Sequence, residues 1–240
     1  MFIKIVVVLL LLIVAASLLT GRTPRNAPPR SRPAVRPLML RVALVLLAVS
    51  AAVVVLHLAG CSKAEESFHA ADVTGAGFGR LSALGALADH TGRRLASAEF
   101  RGKAVVVFFG YTQCPDICPT ALSTMQETMR LLGPDADRVQ VLFVTVDPER
   151  DTQEALAAYV PWFDARFLGL RGDAQATLDT AREFHVFYAK VKGDSALGYS
   201  IDHSATSYLF DPQGRLRLLV RHGETPQNIA ADLRRLLAEQ

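Results

Sequence analysis

The chain has 240 residues, enough for one domain with attachments, and half of them are hydrophobic. Its net charge of +3 is unevenly spread: residues 1–60 carry seven Lys or Arg and no acid, leaving 19 basic and 23 acidic side chains on residues 61–240. The basicity therefore belongs to the leader, and the remainder, at net −4, offers no electrostatic footprint for nucleic acid.

Two apolar stretches open the chain. Ile5 to Gly21 is uncharged and barely long enough to span a bilayer. Gly21 to Pro37 is rich in Arg and Pro and has no periodicity, so it reads as disordered, with a charge that favours the cytoplasmic side. The second stretch runs from Ala43 to Gly60, with Arg41 before it, and ends in Leu58-Ala59-Gly60-Cys61. A positive start, an apolar core and small residues before a cysteine describe a lipoprotein signal peptide. These four residues resemble a bacterial lipobox, which makes Cys61 the candidate for lipidation. The competing reading is an uncleaved membrane anchor; both deliver the rest of the chain to the exported side. Two successive export segments are redundant, so residues 1–38 read as an upstream addition and Met39 as the true start. The alternative is a two-span anchor beginning at Met1. The expected division is 1–38, then 39–60 as signal or anchor, 61–79 as a flexible tether, and 80–240 as the domain.

Within the domain, Arg80 to Lys103 holds two short strand-like pieces around the turn residues Asp89-His90-Thr91-Gly92, which predicts a β-hairpin. His90 is expected on the solvent side of that turn. Ala104 to Phe109 is a continuous β-branched and aromatic run, as in a strand buried on both faces. Thr120 to Leu132 has helical spacing. Between them lies Gly110-Tyr111-Thr112-Gln113-Cys114-Pro115-Asp116-Ile117-Cys118-Pro119, a strand-to-helix turn at the end of a strand where α/β sheets put their chemistry. Each proline disfavours helix in the residue before it, so Cys114 and Cys118 are expected to be non-helical, with Cys118 the N-cap and Pro119 first in the helix. The positive end of that helix favours a thiolate. Four residues apart on a pinned turn, the two sulfurs can converge on one ion or form a disulfide.

Val139 to Val146 reads as a second buried strand. Asp151 with Glu154 has capping-box spacing for a helix to about Val160, before Pro161. Ala174 to Phe184 reads as a helix, with His185 packed or capping at its end, and Val186 to Val191 as a strand. Tyr199 to Ser204, containing Asp202 and His203, precedes a strand through Phe210. Asp211-Pro212-Gln213-Gly214 is a turn before a return strand, and Thr225-Pro226 starts the last helix. His222 falls on the surface.

The cysteine turn resembles the signature of the Sco/SenC family, thioredoxin-like copper proteins of cytochrome c oxidase assembly. Two further blocks match: Val144-Thr145-Val146-Asp147-Pro148-Glu149-Arg150-Asp151-Thr152, and Asp202-His203-Ser204 before Tyr208-Leu209. The matching order runs from about Phe78 to the C-terminus. The resemblance implies an α/β, thioredoxin-like fold with an N-terminal β-hairpin, preceded here by the membrane-targeting leader. A thioredoxin sets a proline opposite its cysteines; this chain has none between Pro161 and Pro212, and the matching loop carries His203.

The resemblance further implies that Cys114, Cys118 and His203 hold copper. Two thiolates and an imidazole favour Cu(I) and tolerate Cu(II), whereas zinc normally takes a fourth ligand and none is obvious. His203 needs a partner on its other nitrogen, and Asp202, Asp147 or a backbone carbonyl can serve. The implied function is a copper metallochaperone for the Cu(A) centre of cytochrome c oxidase. Its partner is the copper-bearing subunit or another copper chaperone, met from the membrane-anchored, periplasmic side of a bacterial envelope. The alternative is a membrane-tethered thiol–disulfide reductase using Cys114 and Cys118 as its redox pair. A peroxide-reducing relative fits poorly, because Thr112 lies two residues before Cys114 instead of three.

Overall fold

The computed structural model describes residues 42–51, 53, 67–192 and 198–239. They fall in two units, Met1–Glu65 and Glu66–Gln240. In the first, residues 42–51 are helical with their apolar side chains exposed. No helix among the described residues is long and apolar enough to cross a membrane. Cys61 and the first apolar stretch lie outside the described residues.

The second unit is built on a seven-stranded mixed sheet. Its strands are β1 (Ala71–Asp72), β2 (Ala88–Asp89), β3 (Ala104–Gly110), β4 (Val139–Thr145), β5 (Leu168–Arg171), β8 (Ser207–Phe210) and β9 (Leu216–Val220). β6 (Tyr188–Lys192) and β7 (Tyr199–His203) form a separate antiparallel ribbon. The sheet order is β1-β9-β8-β3-β4-β5-β2. β3, β4 and β5 run parallel; β8 lies antiparallel to β3, and the outer strands pair antiparallel.

All seven residues of β3 are buried, as the unbroken apolar run predicts. Alternation along the pleat sends Val106 and Phe108 to one face and Val105, Val107 and Phe109 to the other. On the first face lie helices α1 (Ile117–Leu132), α2 (Gln153–Phe163) and α4 (Pro226–Ala238); the second is covered by α3 (Ala174–Glu183), by Leu81, Leu84 and Leu87, and by Ile201 of β7. Thr225 caps α4 by accepting from the Asn228 amide, with Pro226 behind it, and Ile229, Leu233, Leu236 and Leu237 are buried.

Away from the cysteine turn and His203, local structure departs from the sequence reading in four places. The first strand-like piece of the N-terminal hairpin is a 3₁₀ helix, Leu81–Ala86, because leucines spaced by three put one apolar edge on the core. The turn itself forms, with Asp89 accepting from the Thr91 and Arg93 amides, but only the single bridge Ala88 to Arg94 follows it. Asp151 does not cap α2: Thr152 does, accepting from the Ala155 amide, and Asp151 turns inward. Pro161 lies inside α2, which continues to Phe163. The described part of the expected tether is anchored at its start: His69 and Ala70 donate their amides to the buried Asp232 carboxylate of α4, at 2.9 and 2.8 Å, before β1 joins the sheet.

Candidate metal centre

β3 delivers the chain to the cysteine turn. The Cys114 amide donates to the Tyr111 carbonyl at 3.2 Å, closing it. Helix α1 then starts at Ile117 with Asp116 as N-cap, so Cys118 is helical and Pro119 is the third helical residue, contrary to expectation. The reason is local: amides of a first turn have no helical acceptor, so a proline there removes no bond. Cys118 is completely buried and Cys114 half-buried, and neither is in a disulfide. Cys118 fits only because residue 110 is glycine: a Cβ there would stand 2.6 Å from Cys118 Sγ and 2.9 Å from the Phe143 ring. Nothing in the local pattern around Gly110 signals that role.

His203 ends β7, on the strand rather than in a loop, and meets the cysteines. Its Nε2 is 3.5 Å from Cys118 Sγ, and the donor atoms of Cys114, Cys118 and His203 all lie within 4.8 Å of one another. Tyr111 and Phe108 stand edge-on to the imidazole, with ring centroids at 5.8 and 6.1 Å. His203 Nδ1 donates to the Ser204 carbonyl at 3.0 Å. A carbonyl only accepts, so Nδ1 holds a proton and Nε2 is the nitrogen turned to sulfur. The partner is thus the backbone, not Asp147 or Asp202; Asp202 is exposed on the ribbon and Asp147 is engaged elsewhere.

The two sulfurs divide one proton between them. The Cys118 thiol donates to Cys114, and with the Cys118 and Asp116 amides it holds the Cys114 thiol down to about 3, against the opposing effect of burial. The same hydrogen bond, burial and the Cys114 charge push Cys118 far up. Cys114 is therefore the thiolate and Cys118 the proton carrier, the reverse of what an N-cap Cys118 implies.

The block after β4 braces this geometry. Asp151 is fully buried and accepts from the Thr112 amide at 3.0 Å, from the Thr112 hydroxyl at 2.6 Å and from the Thr145 hydroxyl at 2.6 Å. It thereby ties the cysteine turn to the end of β4. Burial nevertheless raises its carboxyl above the ordinary value, the threonine bonds opposing this and the Asp147 charge adding to it. The other histidines singled out in the sequence stay apart among the described residues. His90 Nδ1 accepts from the Gly169 amide, so it is braced rather than free; His185 stacks on Phe78 at 4.5 Å; His222 is exposed.

Fold and site together define a mixed α/β domain with two cysteines and one histidine gathered at the C-terminal end of its central strand. The chain belongs to the SCO1/SenC family, whose model matches residues 83–238. A mitochondrial SCO2 homolog of Bos taurus is 40% identical over 154 residues, covering 63% of this chain and 58% of that protein. A SCO2-like protein of Rickettsia conorii is 40% identical over 130 residues, covering 54% of this chain and 63% of that protein. This chain thus spans less than two thirds of these relatives. Among solved structures, Bradyrhizobium japonicum ScoI with copper bound is 39% identical, with TM-score 0.58 over 62% of this chain and 95% of that one. Arabidopsis thaliana ScoI with copper bound is 27% identical, with TM-score 0.62 over 69% and 100%.

Proposed function

We propose that this protein is a copper metallochaperone that supports assembly of the Cu(A) centre of cytochrome c oxidase, carrying copper on Cys114, Cys118 and His203. One observation carries the reading: three donor atoms of the right softness lie within 4.8 Å of one another, and no other His, Cys, Asp or Glu among the described residues joins them. Two sulfurs and one nitrogen suit Cu(I) and tolerate Cu(II), while a three-donor set leaves zinc one ligand short. Kinship with a bacterial ScoI solved with copper bound supports the choice of ion. Copper is cargo here. Cys114 meets it already as thiolate, Cys118 gives up its proton on loading, and His203 presents Nε2. The test is copper titration of the reduced protein with X-ray absorption. The expected result is one copper with two sulfur neighbours, lost in Cys114→Ala and Cys118→Ala, and in His203→Ala weakened more for Cu(II) than for Cu(I). A spectrum without sulfur overturns the proposal.

The charge division of the pair favours a second reading, a thiol–disulfide reductase acting on the oxidase's copper-ligand cysteines. The Cys114 thiolate attacks a partner disulfide, forming a mixed disulfide and releasing one partner thiolate. Cys118 then loses its proton and attacks Cys114 Sγ, leaving a Cys114–Cys118 disulfide and a reduced partner. Because the same sulfurs serve both roles, disulfide and copper exclude each other. Oxidised protein is expected to be copper-free and to reload on reduction; equal 1:1 binding with the disulfide intact would place the copper elsewhere.

The same reading makes residues 39–60 an export signal, with Cys61 the acylated first residue of a periplasmic, membrane-held protein. Mass spectrometry of membrane-extracted protein is expected to find a lipid-modified Cys61. A mature chain starting at Met1 with Cys61 unmodified refutes it.

A further inference from the structure

His203 does not ride on the same body as the cysteines. Cys114 and Cys118 are fixed by β3 and α1, whereas His203 ends a two-stranded ribbon that pairs with no strand of the main sheet. Ile201 buries against the sheet, and most of the polar contacts that tie the ribbon down gather around one side chain. Arg150, in the loop after β4, donates Nε to the Asp147 carboxylate and Nη1 to the Tyr199 carbonyl at 2.9 Å. Its guanidinium carbon lies 3.7 Å from the Tyr199 ring centroid and 5.7 Å from that of Tyr111. The Tyr199 hydroxyl donates to the same Asp147 at 2.9 Å, and the Tyr111 hydroxyl accepts from the Ile201 amide at 3.3 Å. Tyr199 and Ile201 are the residues of β7 that lead to His203.

We propose that Arg150 is a positioning residue for His203: with Asp147 and Tyr199 it latches the β6–β7 ribbon to the loop after β4, and so sets the imidazole against the two sulfurs. This rests on the reading of Cys114, Cys118 and His203 as copper donors. The latch needs arginine. One planar group meets a carboxylate, a carbonyl and an aromatic face at once, which the point charge of lysine cannot do. Asp147 is 1% exposed, and a carboxylate that buried must be paired. Arg150 Nη2 is buried with no hydrogen-bond partner among the described residues, a cost that the other contacts of the guanidinium must offset. The second tie, Lys190 to Glu149 at 2.6 Å, joins two exposed side chains and adds little.

The latch accounts for residues that the metal donors alone leave unexplained. Asp147 and Arg150 come from the block after β4, Tyr199 from the block that ends in His203, and they meet each other rather than the sulfurs. Their effect on the site is to decide how often His203 is present.

The experiment has two arms, run on the full chain. In the first, without metal, hydrogen exchange is followed over residues 199–203 in wild type, Arg150→Ala, Arg150→Lys and Tyr199→Phe. Arg150→Ala is expected to speed exchange there about 10- to 100-fold, the range set by losing a charged hydrogen bond. Peptides from β3 and α1 should stay as in wild type. Arg150→Lys should recover only part of the protection. Tyr199→Phe, which removes one hydroxyl and leaves the stacking, should fall between and remains informative if Arg150→Ala does not fold. In the second arm, Cu(II) electron paramagnetic resonance and Cu(I) affinity are measured. The imidazole nitrogen signature of Cu(II) should weaken in Arg150→Ala while Cu(I) affinity stays within a few-fold. Unchanged exchange at 199–203 in folded variants overturns the latch, and so does faster exchange spread equally over β3 and α1. A loosened ribbon with an unchanged Cu(II) nitrogen signature overturns the positioning role, whereas the same signature surviving in His203→Ala refutes His203 as the copper donor on which the proposal rests.

Discussion

Gly110→Ala tests how tightly the site is packed into the central strand. The added Cβ would lie 2.6 Å from Cys118 Sγ, 2.9 Å from Phe143 Cε2 and 3.1 Å from Phe108 Cε1. Real contacts of this kind sit near 3.5–4.0 Å, so the sulfur must retreat by about 1 Å or the strand must bend. Neither move is free. β3 is buried along its whole length and bonded to β4 and β8, while Phe108 and Phe143 are at most 1% exposed. Overpacking of this sort costs about 1–3 kcal/mol. For a domain of this size each kcal/mol lowers Tm by about 2–4 °C, so a drop of roughly 2–12 °C is expected. A purely structural penalty would stop there. Here the displaced atom is one of the two sulfurs, so the 3.5 Å approach of His203 Nε2 to Cys118 Sγ must change as well. The assay is thermal unfolding of the metal-free, reduced protein alongside thiol alkylation rates. An alanine variant that unfolds at the wild-type temperature with wild-type thiol kinetics would refute this account of Gly110.

The two thiols should titrate far apart. With Cys114 held at about 3 and Cys118 pushed up, one thiol should alkylate at a nearly constant rate from pH 5 to 8 and the other should lag; parallel titration near the ordinary cysteine value would sink the assignment. By linkage, a depressed acid such as Cys114 adds stability that is present above its unfolded value and lost as pH falls toward about 3. Asp151 runs the other way: its raised carboxyl adds stability below the unfolded carboxylate value, lost as pH rises through the folded one. Asp151→Asn should therefore flatten the mildly acidic limb of the stability profile, and an unaltered limb would contradict it. Asp151→Ala strands the Thr112 amide and two hydroxyls and should cost about 2–4 kcal/mol by urea unfolding, with faster Cys114 alkylation. Asp232→Ala should release residues 68–72 from α4, detected as new proteolytic cleavage there; an uncut segment would show that β1 pairing alone retains it.

What was legible in the sequence was what local chemistry encodes. An apolar run read as β3, a Thr-Pro pair read as the start of α4, and two Cys-Pro steps marked the turn that holds the sulfurs. The meeting of His203 with that turn followed from family resemblance, not from spacing, since 85 residues separate it from Cys118. Asp151 shows why the rest was hidden. Its neighbours spelled a capping box, but its partners are Thr112 and Thr145, the first 39 residues away, and burial between two strands outweighed a local cap. The charge on the sulfurs was misplaced for the same reason. It depends on which cysteine the core encloses, and that is set by Gly110 and Phe143 rather than by position in the helix. The anchoring of His69 and Ala70 is not legible locally, because their partner Asp232 lies 163 and 162 positions downstream.

Both margins of the sheet end in strands of two residues. β1 covers β9 and β2 covers β5, and each comes from the stretch before the first long strand. A sequence-guided truncation at Arg80 would keep every residue of the metal centre and discard Ala71 and Asp72. It would leave Leu218 and Leu219 on a bare, apolar strand edge, the kind of surface on which a second molecule can add its own strand. Self-association of a shortened domain would then be a product of where the chain was cut, and the first soluble boundary worth using lies before Phe68.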